Sequence, residues 1–129
     1  MGKVYSAHNI AAYFIYELNE TNTFVNAKAL QFLLSKVKEQ WEKEFGYNPF
    51  KEQSFSLTHN GFVVKEVFDA YKENGDAAIV EPAKEWFLQY GDFQLILRPY
   101  AIPSFTFEEQ QLVQKVLEQY RNTIMKKAS

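Results

Sequence analysis

"NAKALQFLLSKVKEQWEKEFG", residues 26–46, carries apolar side chains at Leu30, Leu33, Leu34, Val37, Trp41 and Phe45. Their spacing of three and four, sustained over about five turns, puts them on one stripe of an amphipathic helix. Lys36, Lys38, Glu39, Glu42, Lys43 and Glu44 fall on the outer face. Gly46 ends the run by tolerating a left-handed terminus, and Pro49 cannot continue a helix. A helix starting near Asn26 is therefore expected, as the longest central element of the fold.

The same period extends to both sides. Upstream, Ile10, Ala11, Phe14, Ile15 and Leu18 form a helical stripe from Ser6 to about Leu18, closed by the turn-favouring run NETNT at 19–23. Downstream, SFSLTH at 54–59 alternates Phe55 and Leu57 with Ser54, Ser56 and Thr58, the period of a short half-buried strand. Asn60 or Gly61 is positioned to cap a third helix through Val63, Val64, Val67, Phe68 and Tyr71, with Gly75 at its end. Pro82 at a first helical position predicts a shorter fourth helix through Trp86, Phe87 and Tyr90 to Gly91. FQLILR at 93–98 fits either a strand or a helical turn. Thr106 and Glu109 have capping-box spacing and open a last helix along Leu112, Val113, Val116, Leu117, Tyr120 and Ile124, with MKKAS at 125–129 as a frayed tail. The expectation is a mainly α chain: a single compact helical domain over 1–129, of about five helices, with room for one small β-hairpin or strand pair.

Composition narrows the function classes. The chain of 129 residues is 47% hydrophobic and 17% aromatic, with twelve Phe and eight Tyr, far from the make-up of disordered segments. A formal net charge of −2 gives no general attraction to phosphate backbones or anionic lipid. The absence of cysteine excludes disulfides, thiolate metal sites and thiol catalysis. MGKVYSAHNI lacks a basic segment followed by a long apolar run, and no apolar stretch reaches about 18 residues, so a cytoplasmic protein is expected.

Catalytic patterns are missing. His8 and His59 have no second ligand at a recognised metal spacing, so no metal or other cofactor is expected. Ser54 and Ser56 lie near His59, but there is no nucleophile elbow and no third group to orient a base. The glycines are isolated and form no phosphate-cradling loop. Of the aromatics, Tyr5, Tyr47, Phe50, Phe62, Tyr100, Phe105 and Phe107 fall outside the helical stripes, at element ends where they could form a partner-binding patch.

"HNGFVVKEVFDAYKENGDAAI", residues 59–79, resembles the signature of the Panacea antitoxin domain family, the SocA-like and phage-associated proteins. In that signature a Gly-Pro-Val-Val-like turn leads into a helix, then a glycine and an isoleucine, matched here by Gly61, Val63, Val64, Val67, Phe68, Tyr71, Gly75 and Ile79. "HNIAAYFIYELNE" is similar to the family's opening helix, and "NAKALQFLLSKV" to its Lys-Leu-Gln-Lys-Leu-Leu-Tyr helix through Lys28, Leu30, Gln31, Leu33 and Leu34. The match covers about residues 6–80. Phe62 stands where the family has proline, and Ser35 where it often has tyrosine. The resemblance implies a predominantly helical fold and a non-catalytic role: binding and neutralising a cognate protein toxin encoded by an adjacent gene. The partner contact is then expected at the head of the signature, at His59, Asn60, Phe62 and Lys65. Two other readings stand beside it. One is a nucleic-acid-binding or phage-associated regulatory module using Lys115, Arg121, Lys126 and Lys127; the other is a small enzyme using His59.

Overall fold

The structure, a computed structural model, describes residues 4–51, 55–58, 61–74, 77–80, 82–89, 91 and 94–128. Among them four α-helices and two β-hairpins follow the order α1 (Ala7–Glu20), α2 (Ala27–Phe45), β1 (Phe55–Thr58), β2 (Gly61–Val64), α3 (Lys65–Tyr71), β3 (Lys84–Gln89), β4 (Gln94–Pro99) and α4 (Phe107–Ala128). A single 3₁₀ turn, Lys72–Asn74, extends α3. The fold is mainly α, as the periodicity predicts, with four helices instead of five.

α2 matches its expected outline. The Asn26 side chain accepts a hydrogen bond from Ala29 N–H at 2.8 Å, and Gly46 closes the helix in the left-handed region at φ 82°. Leu30, Leu33, Leu34, Val37 and Trp41 are all buried on one face. α2 is neither the longest nor the most enclosed helix, however. α4 has 22 residues against 19, and α1 is the more deeply set, with Ile10, Ala11, Ala12, Tyr13, Phe14 and Ile15 buried in succession. A helix buried over so much of its girth must be covered from several sides. α2 and α3 pack on it, and α4 reaches it through Gln114, which donates to Glu17 at 2.7 Å, and Arg121, which donates to the Glu17 carbonyl.

The aromatics expected as a partner patch mostly close the core instead. Tyr5 and Phe50 are buried, and Phe105 stands edge-on to Tyr5 and Tyr13 at centroid distances of 5.1 and 5.3 Å. Trp41 meets Tyr5, Phe45 and Tyr47 in the same edge-to-face manner. Such pairs add to simple area burial because ring edges and faces carry opposite partial charge. Among the described side chains of that set, only Phe107 is largely exposed.

α4 begins with the capping box read from the sequence: Glu109 N–H donates to Thr106 Oγ1 at 3.2 Å, and Thr106 N–H to Glu109 Oε1 at 2.9 Å. The Glu109 carboxylate also accepts from the Tyr5 hydroxyl at 2.6 Å, joining the chain's first described segment to its last helix. Burial, and then this carboxylate, push the Tyr5 pKa above its ordinary value. The helix runs on through Ala128, so residues 125–128 are helical and not the frayed tail expected.

Two sequence expectations are corrected. Gly61 does not cap α3, because Gly61–Val64 is the second strand of a hairpin paired from Phe55↔Val64 to Thr58↔Gly61, and Asn60 lies outside the described residues. Val63 and Val64 are stiff β-branched residues that suit a pleat, and α3 starts after them with no side-chain cap. The predicted fourth helix, Pro82 to Gly91, is strand β3, paired with β4 from Lys84↔Pro99 to Gln89↔Gln94. Its Trp86-Phe87 pair satisfies a helical period over six residues equally well, but aromatic and branched partners across the ladder, Trp86↔Leu97 and Phe87↔Ile96, favour the strand. Gly91, at φ 98°, serves the turn between them.

Candidate functional site

The signature stretch folds around one buried amide. Gln31, on the inner face of α2, receives the Val64 N–H on its Oε1 at 2.8 Å and approaches the Val64 carbonyl with its Nε2 at 3.5 Å. Val64 lies at the strand-to-helix junction, where its N–H has left one ladder and not joined the next element. A buried backbone donor in that position must be satisfied by a side chain. Gln31 therefore pins the first half of the signature to the second. Val64 and Val67 are buried beneath it.

Tyr71 and Ile79 complete the unit. The buried Tyr71 hydroxyl accepts from Ala83 N–H at 2.8 Å, fastening the base of the β3–β4 hairpin to α3, and burial raises its pKa. Ile79 is buried; its N–H donates to the Val25 carbonyl at 2.8 Å and its carbonyl accepts from Asn19 Nδ2 at 3.0 Å. The isoleucine at the end of the signature thus ties the chain back to the α1–α2 connection.

Outward, α3 presents Lys65, Phe68 and Asp69. Val67 and Tyr71 take its inner stripe, so Phe68, expected to face inward, turns about 100° away and is 45% exposed. Lys65 bridges to Asp69 at 3.0 Å and Lys72 to the same carboxylate at 3.8 Å. The hydrogen bond to Asp69 raises the Lys65 pKa, and its counterpart lowers that of Asp69. His59, Asn60 and Gly75 lie outside the described residues. So do the side chains of Phe62 and Val63, whose backbones belong to β2.

One exposed apolar surface among the described residues was not read from the sequence. It is the β3–β4 hairpin, where Trp86 is 68%, Leu95 64% and Leu97 52% exposed, flanked by exposed Val80 and Ile102. At its base a groove of about 510 Å³ opens between α1 and the hairpin, lined by Tyr16, Asn19, Val80, Pro82, Tyr100 and Ile102. The Leu-Ile-Leu run of β4 was the available signal, since three adjacent apolar residues in a two-stranded sheet cannot all face a core.

His8 lies on α1 with its ring stacked on Tyr100 at 4.5 Å. Ser56 is in β1, while Ser54 lies outside the described residues. Among the described residues no three His, Asp or Glu side chains converge as metal ligands. Arg121 is engaged by Glu118 at 2.9 Å and by Thr21, which removes it from any basic face. No helix among the described residues is long and apolar enough to cross a membrane. Comparison with protein-family models, with curated proteins and with solved structures gave no match.

Proposed function

We propose that the chain is a Panacea-like (SocA-like) antitoxin that binds a protein toxin, encoded beside it, and neutralises it by direct contact in the cytoplasm. The observation that carries the reading is the Gln31–Val64 clamp. Residues that resemble the family in two separate stretches, Gln31 on α2 and Val64 at the head of α3, meet in one buried interaction that orders the strand-to-helix junction. That junction holds Lys65 and Phe68 outward on α3 and carries the backbone of Phe62 in β2. A cationic side chain beside an exposed aromatic suits a protein interface, where aromatic anchors contribute most of the binding energy. An interface of about 1,600 Å² centred there is large enough to occlude a toxin's active surface.

The test is co-expression. Each open reading frame adjacent to this gene is induced alone and together with the chain, and growth is followed. A neighbour that arrests growth alone and is rescued by the chain supports the reading; its binding is then measured with the wild type and with Phe68→Ala. A loss of tenfold or more in affinity, with an unchanged melting temperature, places the contact on α3. Neighbours that are all harmless, or a toxic one that the chain neither rescues nor binds, refute it.

A further inference from the structure

Independently of the toxin reading, we infer that the groove at the base of the β3–β4 hairpin binds a small organic cation, a primary ammonium carried on an apolar body. At about 510 Å³ the groove has the size of a small-molecule site. One wall is α1, and the other is formed by the two chain segments that enter and leave the hairpin. Both segments are fastened to the rest of the fold. Ile79 N–H donates to the Val25 carbonyl at 2.8 Å, Asn9 Nδ2 to the Ala101 carbonyl at 2.7 Å, and Tyr100 N–H to the Ala83 carbonyl at 3.0 Å. The shape therefore exists before a ligand arrives, and binding carries little ordering cost.

The polarity of the lining selects the sign of the ligand's charge. Asn19 donates both amide hydrogens, one to the Ile15 carbonyl at 2.8 Å and one to the Ile79 carbonyl at 3.0 Å. Two carbonyl oxygens can be met only by the NH₂ group, so the amide's orientation is fixed and the polar atom it has left for the groove is its oxygen. Glu20, the next residue, is the only charged side chain among the described lining residues, and its carboxylate forms no ion pair with a described residue. Tyr16, one turn earlier on α1 and 49% exposed, adds an aromatic ring, and Tyr100 adds a second. An amide oxygen, a carboxylate and aromatic rings are all partners of a cation. Pro82 and Pro99, on the opposite wall, have no backbone N–H to offer an anion.

The remaining walls set the ligand's body. Ile15, Val80 and Ile102 are apolar, and a single lysine side chain reaching in from a partner protein leaves most of the groove unfilled. A free molecule with an aromatic or branched body covers those walls while its ammonium group meets Asn19 Oδ1 and Glu20. The cleft between α2 and α4 lacks this selectivity. It is smaller, at about 210 Å³, and Lys115 stands in it together with Glu44 and Glu108, so both signs of charge are present.

Four probes separate the alternatives: phenethylammonium, its neutral analogue phenethyl alcohol, the anion phenylacetate, and Nα-acetyl-lysine amide, which represents a partner's side chain. Each is titrated into the isotope-labelled full chain and followed by NMR at the amides of Tyr16, Asn19 and Ile102. The ammonium is expected to bind in the millimolar range, about fivefold or more tightly than each of the other three. Glu20→Gln, at an exposed position, should weaken the ammonium about threefold, the worth of an exposed ion pair, and leave the alcohol unchanged. Tyr16→Ala, also at an exposed position, should weaken both. Phenylacetate binding as tightly as the ammonium overturns the proposal, as does an ammonium affinity that Glu20→Gln leaves unaltered. Equal binding of the lysine amide assigns the groove to a partner's side chain and overturns it too. So does the absence of any shift at these amides up to the solubility limit of the ammonium salt.

Discussion

Replacing Gln31 by Met tests the junction on which the signature stretch depends. Met fills nearly the same volume on α2 and leaves little cavity, so the change isolates the amide's hydrogen bonds. What remains is the buried Val64 N–H without its 2.8 Å acceptor, and the Val64 carbonyl without the weaker 3.5 Å contact. Stranding one buried donor costs about 1–3 kcal/mol, while the long second contact adds little. With an unfolding entropy of about 2.1 cal/mol/K per residue, a chain of this length loses roughly 4–11 °C in melting temperature for that cost. The assay is thermal and urea unfolding by circular dichroism at pH 7, with amide hydrogen exchange on the same samples. Exchange at Val64 should accelerate more than exchange at Leu34 in the middle of α2, because the loss is local. Destabilisation below about 0.5 kcal/mol, or Val64 exchange unchanged, would refute the argument that the Gln31 amide holds this buried donor.

Three further outcomes are expected. Leu33→Ala or Leu34→Ala, at fully buried positions on α2, should cost about 2–5 kcal/mol by urea unfolding, and a loss well under 1 kcal/mol for both would mean that the helix packs on another face. Gly46→Ala should cost about 1 kcal/mol: no atom lies within 4 Å of the added methyl, so the penalty is the left-handed backbone alone, and a neutral result would refute that conformation. Tyr5 holds its proton more tightly in the folded state than in the unfolded chain, so its contribution is complete below about pH 10 and is lost as pH rises beyond that. Tyr5→Phe should therefore be less stable than the wild type at pH 7 by about 1.5–3 kcal/mol, the strength of a bond to a carboxylate, and the gap should narrow in alkaline titrations.

α1, α2 and α4 were legible because each spans three or more turns, over which a 3.6-residue period outweighs chance, and because caps such as Asn26, Gly46 and the Thr106–Glu109 box act within four residues of one another. The stretch from 55 to 99 was only partly legible for the opposite reason: β1 lies where the alternation put a strand, but β2 and β3 were read as helical. Its elements are four to seven residues long, and at that length Val63-Val64 or Trp86-Phe87 satisfies a strand and a helix alike. The choice lay with partners outside the segment itself: Phe55 and Ser56 across from Val64 and Val63, Leu97 and Ile96 across from Trp86 and Phe87, and, farther away in sequence, Gln31 beneath the β2–α3 junction.

Exposure divides in the same way. Periodicity alone assigned Leu33, Leu34, Val37 and Trp41 to the core, since a helix stripe of that length must be buried against something. It placed Phe68 inside and grouped Tyr5, Phe50 and Phe105 as surface aromatics, and the packed chain reversed those assignments. An isolated aromatic carries no periodic signal, so its side is decided by which elements converge on it. Here α1, α2 and α4 close over Tyr5 and Phe105, while nothing among the described residues closes over Trp86, Leu95 and Leu97. Local chemistry written in the sequence thus determined where the long helices run and stop. Only the tertiary structure, through hairpin partners outside each short segment and through longer-range contacts such as that of Gln31 with Val64, decided which short segments became strands and which apolar side chains were left at the surface.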